Sequence, residues 1–198
     1  MTVRSTMSAL IEKTRGLTNT QTGDGTVEYA AYWSSQQIQD VLDRHRSDIY
    51  RQPIAPIQTY EGGTVVYKNY PFGIQHLEQT SGGTAIFYVQ GGDNTTVGTA
   101  SYAIDYNRGE ITFNSDTSGS VYYLYARAYD IDAAAAEIWR MKAAQVADSF
   151  DFSTDNHSVK KSQVYEHCLK MANYYEQRSG AGVNVTQMYR SDLYPYVD

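Results

Sequence analysis

The clearest pattern of apolar and polar positions in this chain lies near its C-terminal end. From Asp130 onward, apolar residues recur at roughly helical spacing: Ile131, Ala135, Ile138, Val146 and Phe150. Asp130 is a good N-cap, and its carboxylate and that of Asp132 would lie at the positive end of the helix dipole. The many alanines favour helix and allow a second backbone to approach closely. The pattern therefore predicts a helix in the middle of a helical layer, with Trp139 as its one large anchor.

A second helical stretch follows after a polar link. Its apolar residues fall at i, i+4, i+7 and i+11, with two more beside them: Val164, Cys168, Met171, Tyr175, Leu169 and Ala172. Gly180 is a plausible C′ residue. The link, residues 153–158, is rich in side chains that hydrogen-bond their own backbone, which is typical of exposed turns. Together the two stretches predict an antiparallel helix pair.

Two shorter helices are predicted in the N-terminal quarter of the chain. Residues 2–15 place four apolar side chains on one side: Val3, Met7, Leu10 and Ile11. Ser34 and Gln37 have the spacing of a capping box, and Trp33 and Ile38 that of a hydrophobic staple. A helix is therefore predicted from Ser34 to about residue 46.

Between these helical parts, from residue 48 to residue 129, the period changes from 3.6 to 2. Glycine-containing turns divide this stretch into seven strand candidates: residues 57–60, 64–70, 74–79, 85–90, 100–105, 110–113 and 121–129. The Asn107-Arg108-Gly109 turn is predicted to close a hairpin, because the candidates on either side alternate. The last candidate, VYYLYARAY, is apolar or aromatic on both faces, which predicts a central position or cover by the helices.

These elements predict an α+β fold with three parts. A helical module, residues 1–47 and 130–180, would carry a mainly antiparallel β-rich insertion, residues 48–129, and an extended C-terminal arm, residues 181–198. The arm has no helical period, yet it is rich in apolar and aromatic residues: Val183, Val185, Met188, Tyr189, Leu193, Tyr194, Tyr196 and Val197. We expect it to dock on a neighbouring molecule, by adding a strand or by placing tyrosines in pockets. The alternative is a tail folded back on its own domain.

Composition limits the possible functions. The 198 residues include 16 basic and 22 acidic side chains, a net charge of −6, with no basic stripe, which argues against a primary nucleic-acid binder. The single cysteine, Cys168, excludes an intrachain disulfide and is expected in the core. No signal peptide and no membrane span are expected, so the protein would be intracellular or virion-borne. Nineteen tyrosines suit either surfaces that become buried on assembly or half-exposed sheet faces.

Candidate chemistry is sparse. The four histidines are scattered without metal-ligand spacing: His45, His76, His157 and His167. Asp155, His157 and Ser158 are the residue types of a hydrolytic triad, but they are neighbours on one loop without a glycine-framed nucleophile turn, and capping explains them. Asp93 and Asn94 form a plain turn more readily than a calcium site. We therefore assign no catalytic residue, cofactor or metal ligand, and expect no enzyme.

One family resemblance is carried by the C-terminal helix pair. The succession YDIDAAAAEIWRMKAAQVA, the polar link DFSTDNHS and then KKSQVYEHCLKMANYYEQ resembles the C-terminal helix pair of head-to-tail adaptor (connector) proteins of tailed phages. The resemblance covers about the last third of the chain and the helix at residues 34–46. The β-rich insertion of residues 48–129 departs from compact adaptors. The resemblance requires that the segments flanking residues 152–157 be helices packed on each other, and strands in their place would contradict it.

The resemblance implies a structural virion protein in the phage neck. It implies a homo-oligomeric ring, commonly dodecameric, between the portal protein and a stopper or tail protein, with DNA passing through the lumen without specific binding. The helix pair would build the subunit core and ring, with these residues singled out: Ile138, Trp139, Val146, Val164, Leu169 and Met171. The arm, residues 181–198, would bind the portal.

Two alternatives remain open. The chain could be a tyrosine-rich β-domain that binds glycans by stacking aromatic rings on sugars. It could also be a different neck ring, such as a stopper or tail-completion protein, which only the bound partner would distinguish from an adaptor.

Overall fold

A computed structural model of the protein describes residues 2–20, 33–79, 86–147, 152–154, 157–159 and 161–180, and it has the predicted α+β fold. A 3₁₀ turn at Ser5–Met7 precedes four α-helices: α1 (Ser8–Thr18), α2 (Ser35–Arg44), α3 (Ile131–Ala147) and α4 (Lys161–Arg178). The strands are β1 (Arg46–Ile54), β2 (Ile57–Glu61), β3 (Thr64–Pro71), β4 (Tyr88–Gln90), β5 (Tyr102–Asp105), β6 (Glu110–Phe113), β7 (Tyr122–Tyr129), β8 (Phe152–Thr154) and β9 (His157–Val159).

The strands form three antiparallel sheets, in the orders β1-β7-β4, β2-β3-β6-β5 and β8-β9. β7 is the central strand of the first sheet, which confirms the prediction made from its two apolar faces. The predicted hairpin between β5 and β6 is confirmed as well. It depends on Gly109, where φ is +68° and a Cβ would lie 2.8 Å from the carbonyl oxygen of Ile74.

A hydrophobic core joins the first three helices. The capping box of Ser34 and Gln37 is present, and Trp33 and Ile38 lie in the same cluster, as the staple predicted. The cluster takes residues from four elements and from the end of β7: Met7, Leu10, Ile11, Trp33, Ile38, Val41, Leu42, Tyr129, Ile131, Ala134 and Ile138. Val3 was predicted to lie on the apolar side of the first helix, but it precedes the helix and 38% of its surface is exposed.

A second core fills the β-rich part. Even-numbered residues of β7, such as Leu124 and Ala126, face this core together with aromatic residues such as Tyr70 and Phe87. Tyr129, the last residue of the same strand, lies in the helical core instead. β7 therefore belongs to both parts, and the domain boundary at residue 129/130 stays a prediction.

Three local predictions were wrong. Residues 74–79 do not form a strand, because positive φ at Gly73 (+67°) and His76 (+58°) turns the chain, and only Leu77 bridges to Ala128 of β7. The second difference is strand β1, which was not predicted. A bulge and the many polar residues of this strand interrupt the alternation of apolar and polar side chains.

The link between α3 and α4 is the third difference. It was predicted as a polar turn, but residues 152–154 and 157–159 pair as two short strands, with Ser153 opposite Ser158. The segments on either side are helices, as the adaptor resemblance requires.

Candidate functional site

α3 lies between two hydrophobic clusters. Ile131, Ala134 and Ile138 face α1 and α2. On the opposite side, small α3 residues and Trp139 meet the inner face of α4: Ala135, Ala136, Trp139, Ala143, Cys168, Ala172 and Tyr175. Because alanine side chains are short, the backbones of α3 and α4 can approach closely. The predicted antiparallel helix pair, with α3 in the middle of the helical layer, is therefore present.

α4 buries only one of its faces. Among its described side chains, Cys168, Ala172 and Tyr175 are buried, which confirms the prediction that Cys168 is a core residue. Outside this seam, Tyr165 and Tyr174 have 37% and 51% of their surface exposed, and because they are nine positions apart they lie on different flanks of α4. Each of these side chains retains apolar surface that a second molecule could bury.

The six residues predicted for the subunit core or ring divide into two groups. Ile138 has no exposed surface and Trp139 is 8% exposed, so both belong to the subunit interior. The remaining four are partly buried and retain surface that a neighbouring molecule could contact: Val146, Val164, Leu169 and Met171.

The carboxylate of Asp130 forms hydrogen bonds with both the start of α3 and the end of α4. Its Oδ1 accepts a hydrogen bond from the backbone N–H of Ala133 at 2.8 Å, which is the predicted N-cap of α3. Its Oδ2 accepts from the hydroxyl of Ser179 at 3.0 Å and from the N–H of Gly180 at 3.2 Å, just after α4 ends. Gly180 has φ +70°, as predicted for a C′ residue. One carboxylate therefore fixes the start of α3 against the end of α4.

Glu78 joins the helical part to the β-rich part. Its side chain has no exposed surface. It accepts hydrogen bonds from the hydroxyls of Thr6 (2.5 Å) and Tyr129 (2.6 Å) and from Nε of Arg4 (3.1 Å). Arg4 also forms a bidentate ion pair with Asp43 of α2, at 2.5 and 2.9 Å. The buried charge is therefore paired and fully hydrogen-bonded, which a buried carboxylate requires.

The surroundings of Glu78 determine its protonation. Burial by itself raises the pKa of this carboxyl, but the hydrogen bonds from Thr6 and Tyr129 and the charges of Arg4 and Arg127 outweigh it, and its pKa is lowered. The pKa of Tyr129 is raised, because the phenol is buried and donates to Glu78. Glu78 therefore stays ionised at neutral pH, and this network is structural and not poised for proton transfer.

Lys142 of α3 forms hydrogen bonds with the C-terminal end of α1. The residue is 5% exposed, and its ammonium group donates to the carbonyl oxygens of Thr18 and Asn19 and lies 4.4 Å from the centre of the Trp139 ring. Burial lowers the pKa of Lys142 to about 8. The lysine stabilises unpaired carbonyls at a helix C-terminus, where a positive charge is favoured.

The candidate chemical groups do not converge. Among the described residues, no group of three or more histidine, cysteine, aspartate and glutamate side chains could hold a metal ion. His45 lies at the rim of the helical core, 2.7 Å from the carboxylate of Glu137. Asp93 forms a turn, accepting from the N–H and hydroxyl of Thr95. Asp155 and the side chains of His157 and Ser158, for which capping was preferred over a hydrolytic triad, lie outside the described residues.

Two parts of the sequence-based prediction concern a membrane span and the C-terminal arm. Within the described part of the chain, none of the helices combines the length and apolar character needed to cross a membrane. The C-terminal arm, residues 181–198, with its predicted portal-binding side chains, lies outside the described residues.

No protein-family model matches this chain, and no curated protein sequence matches it either.

Several contact-forming residues were not identified from sequence. Glu78 stands among polar residues, and Lys142 follows Glu137 and Arg140 in the same helix, so no local pattern marks either of them as buried. Glu78 meets Arg4 across 74 residues of chain. Tyr50, which is 81% exposed, was missed because β1 itself was missed.

Proposed function

We propose that this protein is a structural subunit of a tailed-phage neck, a head-to-tail adaptor that assembles into a ring. In this proposal the ring joins the portal protein to a stopper or tail protein and lets DNA pass through its lumen. Its location would be the neck of the virion, and the host cytoplasm during assembly. The proposal assigns no catalytic residue and no cofactor.

The exposed face of α4 is the observation that carries the proposal. α3 packs against two clusters and has one large apolar residue exposed, Met141 at 38%, whereas α4 packs against one cluster and leaves Tyr174 51% exposed on a flank outside it. Tyrosine is enriched in surfaces that become buried on association. In a ring of identical subunits, this face would meet a different face of the next copy, and the contact would repeat until the ring closes.

Charge is compatible with the role of a conduit. The chain carries a net charge of −6, and like charge disfavours lasting contact with DNA phosphates. This supports passage of DNA without binding.

The arm, residues 181–198, would supply the contact with the portal. The described chain ends at Gly180, beside Asp130 and on the helix pair, so an arm starting there would leave from the proposed ring body. A protein truncated after Gly180 should keep its fold by circular dichroism and lose attachment to purified portal rings in negative-stain images. Truncated protein that still decorates portal rings would contradict this role of the arm.

The ring itself is tested by native mass spectrometry of the full chain, alone and mixed with the portal protein of the same phage. We expect a closed homo-oligomer under at least one condition. Replacement of Tyr174 by alanine should weaken assembly, whereas replacement of Tyr60, 74% exposed on β2, serves as the matched control. A protein that stays monomeric under both conditions would contradict the proposal. A ring that binds a tail protein but not the portal would favour the stopper or tail-completion alternative.

A further inference from the structure

A β-bulge places two residues of β1 opposite one residue of β7. Ile49 pairs with Ala126 and Gln52 pairs with Leu124, so Tyr50 and Arg51 together stand opposite Tyr125. Arg51 has φ +49°, a left-handed conformation that is unfavourable for a residue with a side chain. Bulges of this kind redirect side chains, and strained residues are concentrated at functional positions.

Three tyrosines form a right-angled aromatic group at this bulge. The rings of Tyr88 and Tyr125 are stacked, with centroids 4.6 Å apart and planes at 6°. The ring of Tyr50 stands at 88° to Tyr125, with centroids 5.1 Å apart. Tyr125 is 8% exposed and Tyr88 is half-buried, whereas Tyr50 is 81% exposed. The two inner rings therefore support an outer ring that gains almost nothing from burial.

This group lies on the face of the sheet that points away from the β core. Odd-numbered residues of β7 share this face, and at one end Tyr129 is covered by the helices. Further along the same face, Arg127 is 38% exposed, Tyr125 lies against the rings of Tyr50 and Tyr88, and Tyr123 is half-buried. The guanidinium group of Arg51 lies 4.8 Å from the centre of the Tyr123 ring, so a hydrogen-bond donor group borders the aromatic group.

The size of the surface selects the ligand class. One aromatic side chain buries about 150 to 250 Å², whereas a specific protein interface buries about 800 Å² on each partner. A single exposed ring with a polar edge is closer in size to one pyranose. A pyranose with equatorial hydroxyls presents a flat face of C–H groups that can lie on an aromatic ring, with its hydroxyls free to accept from Arg51.

The local charge favours a neutral sugar. Arg127 and Arg46, two further cations on this face, are already paired: Arg127 has Nη1 3.6 Å from Glu78 and Nε 4.0 Å from Asp48, and Arg46 has Nε 2.9 Å from Asp48. The guanidinium of Arg51 lies on an aromatic ring. Neither arrangement offers a dedicated pocket for a carboxylate or a sulfate.

We propose that Tyr50, supported by Tyr125 and Tyr88 and bordered by Arg51, binds one pyranose ring of a neutral, equatorially linked glycan. This site lies in the β-rich part and does not depend on ring assembly or on the proposed adaptor function. It would give the β-rich part a binding role of its own.

The test is titration of the full chain with cellohexaose and chitohexaose, followed by isothermal calorimetry and by NMR of the tyrosine ring signals. We expect saturable binding to at least one of the two. Tyr50→Ala should lower the affinity by about tenfold or more, and Tyr50→Phe, which keeps the ring, should change it by less than about threefold. Tyr60→Ala, at a tyrosine of β2 that is 74% exposed, should leave the affinity unchanged.

Three results would overturn the proposal. One is that neither hexasaccharide binds. The second is that binding is the same in Tyr50→Ala and the unmodified chain. The third is that Tyr50→Ala and Tyr50→Phe both leave sugar binding intact but change the oligomeric mass, which would make this face a contact between proteins. Circular dichroism of each variant separates these results from loss of the fold, which is not expected for a side chain 81% exposed.

Discussion

The two helices of the C-terminal pair are nearly equal in length but differ in how much of each is buried. α3 has 17 residues, of which eight are buried, whereas α4 has 18 residues, of which three are buried among its described side chains. α3 contributes to two hydrophobic clusters and α4 to one. The subunit therefore depends on α3 for its stability, while the outer face of α4 is free to contact another molecule. Substitutions along the two helices should consequently have different effects.

The largest effect is expected at Ile138 of α3, which has no exposed surface. Ile138→Ala removes buried methyl groups and leaves a cavity between α3 and α2, so the free energy of unfolding should fall by about 2 to 5 kcal/mol. Val146→Ala, at the half-buried end of the same helix, should cost about 1 kcal/mol. Urea unfolding of both variants measures the difference. Equal costs would show that α3 is not covered as described.

A pH-dependent effect is expected at Lys142. Its pKa is about 8 in the folded chain and 10.5 as a reference value, so between these values the unfolded chain binds more protons and stability rises with pH. Relative to Lys142→Met, the native chain should gain roughly 2 to 3 kcal/mol between about pH 8 and pH 10.5. Because the native chain and Lys142→Met contain the same tyrosines, the contribution of the tyrosines to the pH dependence of stability drops out of the difference.

The thiol of Cys168 interacts with Lys142 and must be controlled for. Burial raises the pKa of this thiol, and the charge of Lys142 lowers it by less, so the net pKa is raised. The same pair should be measured with Cys168→Ala in both proteins, to remove thiol titration. A stability difference that does not change across this pH interval would contradict the buried, charged lysine.

A smaller effect is expected at Asp130, which binds both helix ends. Asp130→Ala should cost about 1 to 2 kcal/mol, because the N-cap of α3 and the contacts with Ser179 and Gly180 are lost together. Asp130→Asn keeps an acceptor oxygen and should cost less. Hydrogen exchange at the amides of Ala133 and Gly180 would report whether both ends loosen together, and loosening at only one end would contradict the double cap.

The smallest effect on stability is expected at the exposed face of α4. Tyr174→Ala should change the free energy of unfolding of the subunit by about 0.5 kcal/mol or less, because the ring is 51% exposed. Thermal unfolding at a concentration where the protein is monomeric measures this. A cost above about 2 kcal/mol would mean that this face stabilises the isolated subunit instead.

The features that could be predicted from sequence are those that depend on residues close together in the chain. The capping box of Ser34 and Gln37, the N-cap at Asp130 and the hairpin at Gly109 were predicted, because each depends on residues a few positions apart. The central place of β7 was also predicted, because both of its faces are apolar. These features are set locally, or by a simple pattern.

Long-range pairs were not predicted. The partner of Glu78 is Arg4, and Lys142 bonds the carbonyl of Thr18, so neither contact is encoded in a short segment. β1 was missed because its bulge interrupts the alternation at Tyr50, the residue that later proves the most exposed of the aromatic group. Local patterns do not show such irregular pairings, which depend on the packed tertiary structure.

The measurement that tests the central claim most directly is the native mass of the full chain in the presence of the portal protein. The proposed function predicts a closed ring of identical subunits that Tyr174→Ala weakens and Tyr60→Ala leaves intact. A mass equal to that of one subunit, or a ring that persists unchanged in Tyr174→Ala, would contradict the claim that α4 presents its outer face to copies of itself.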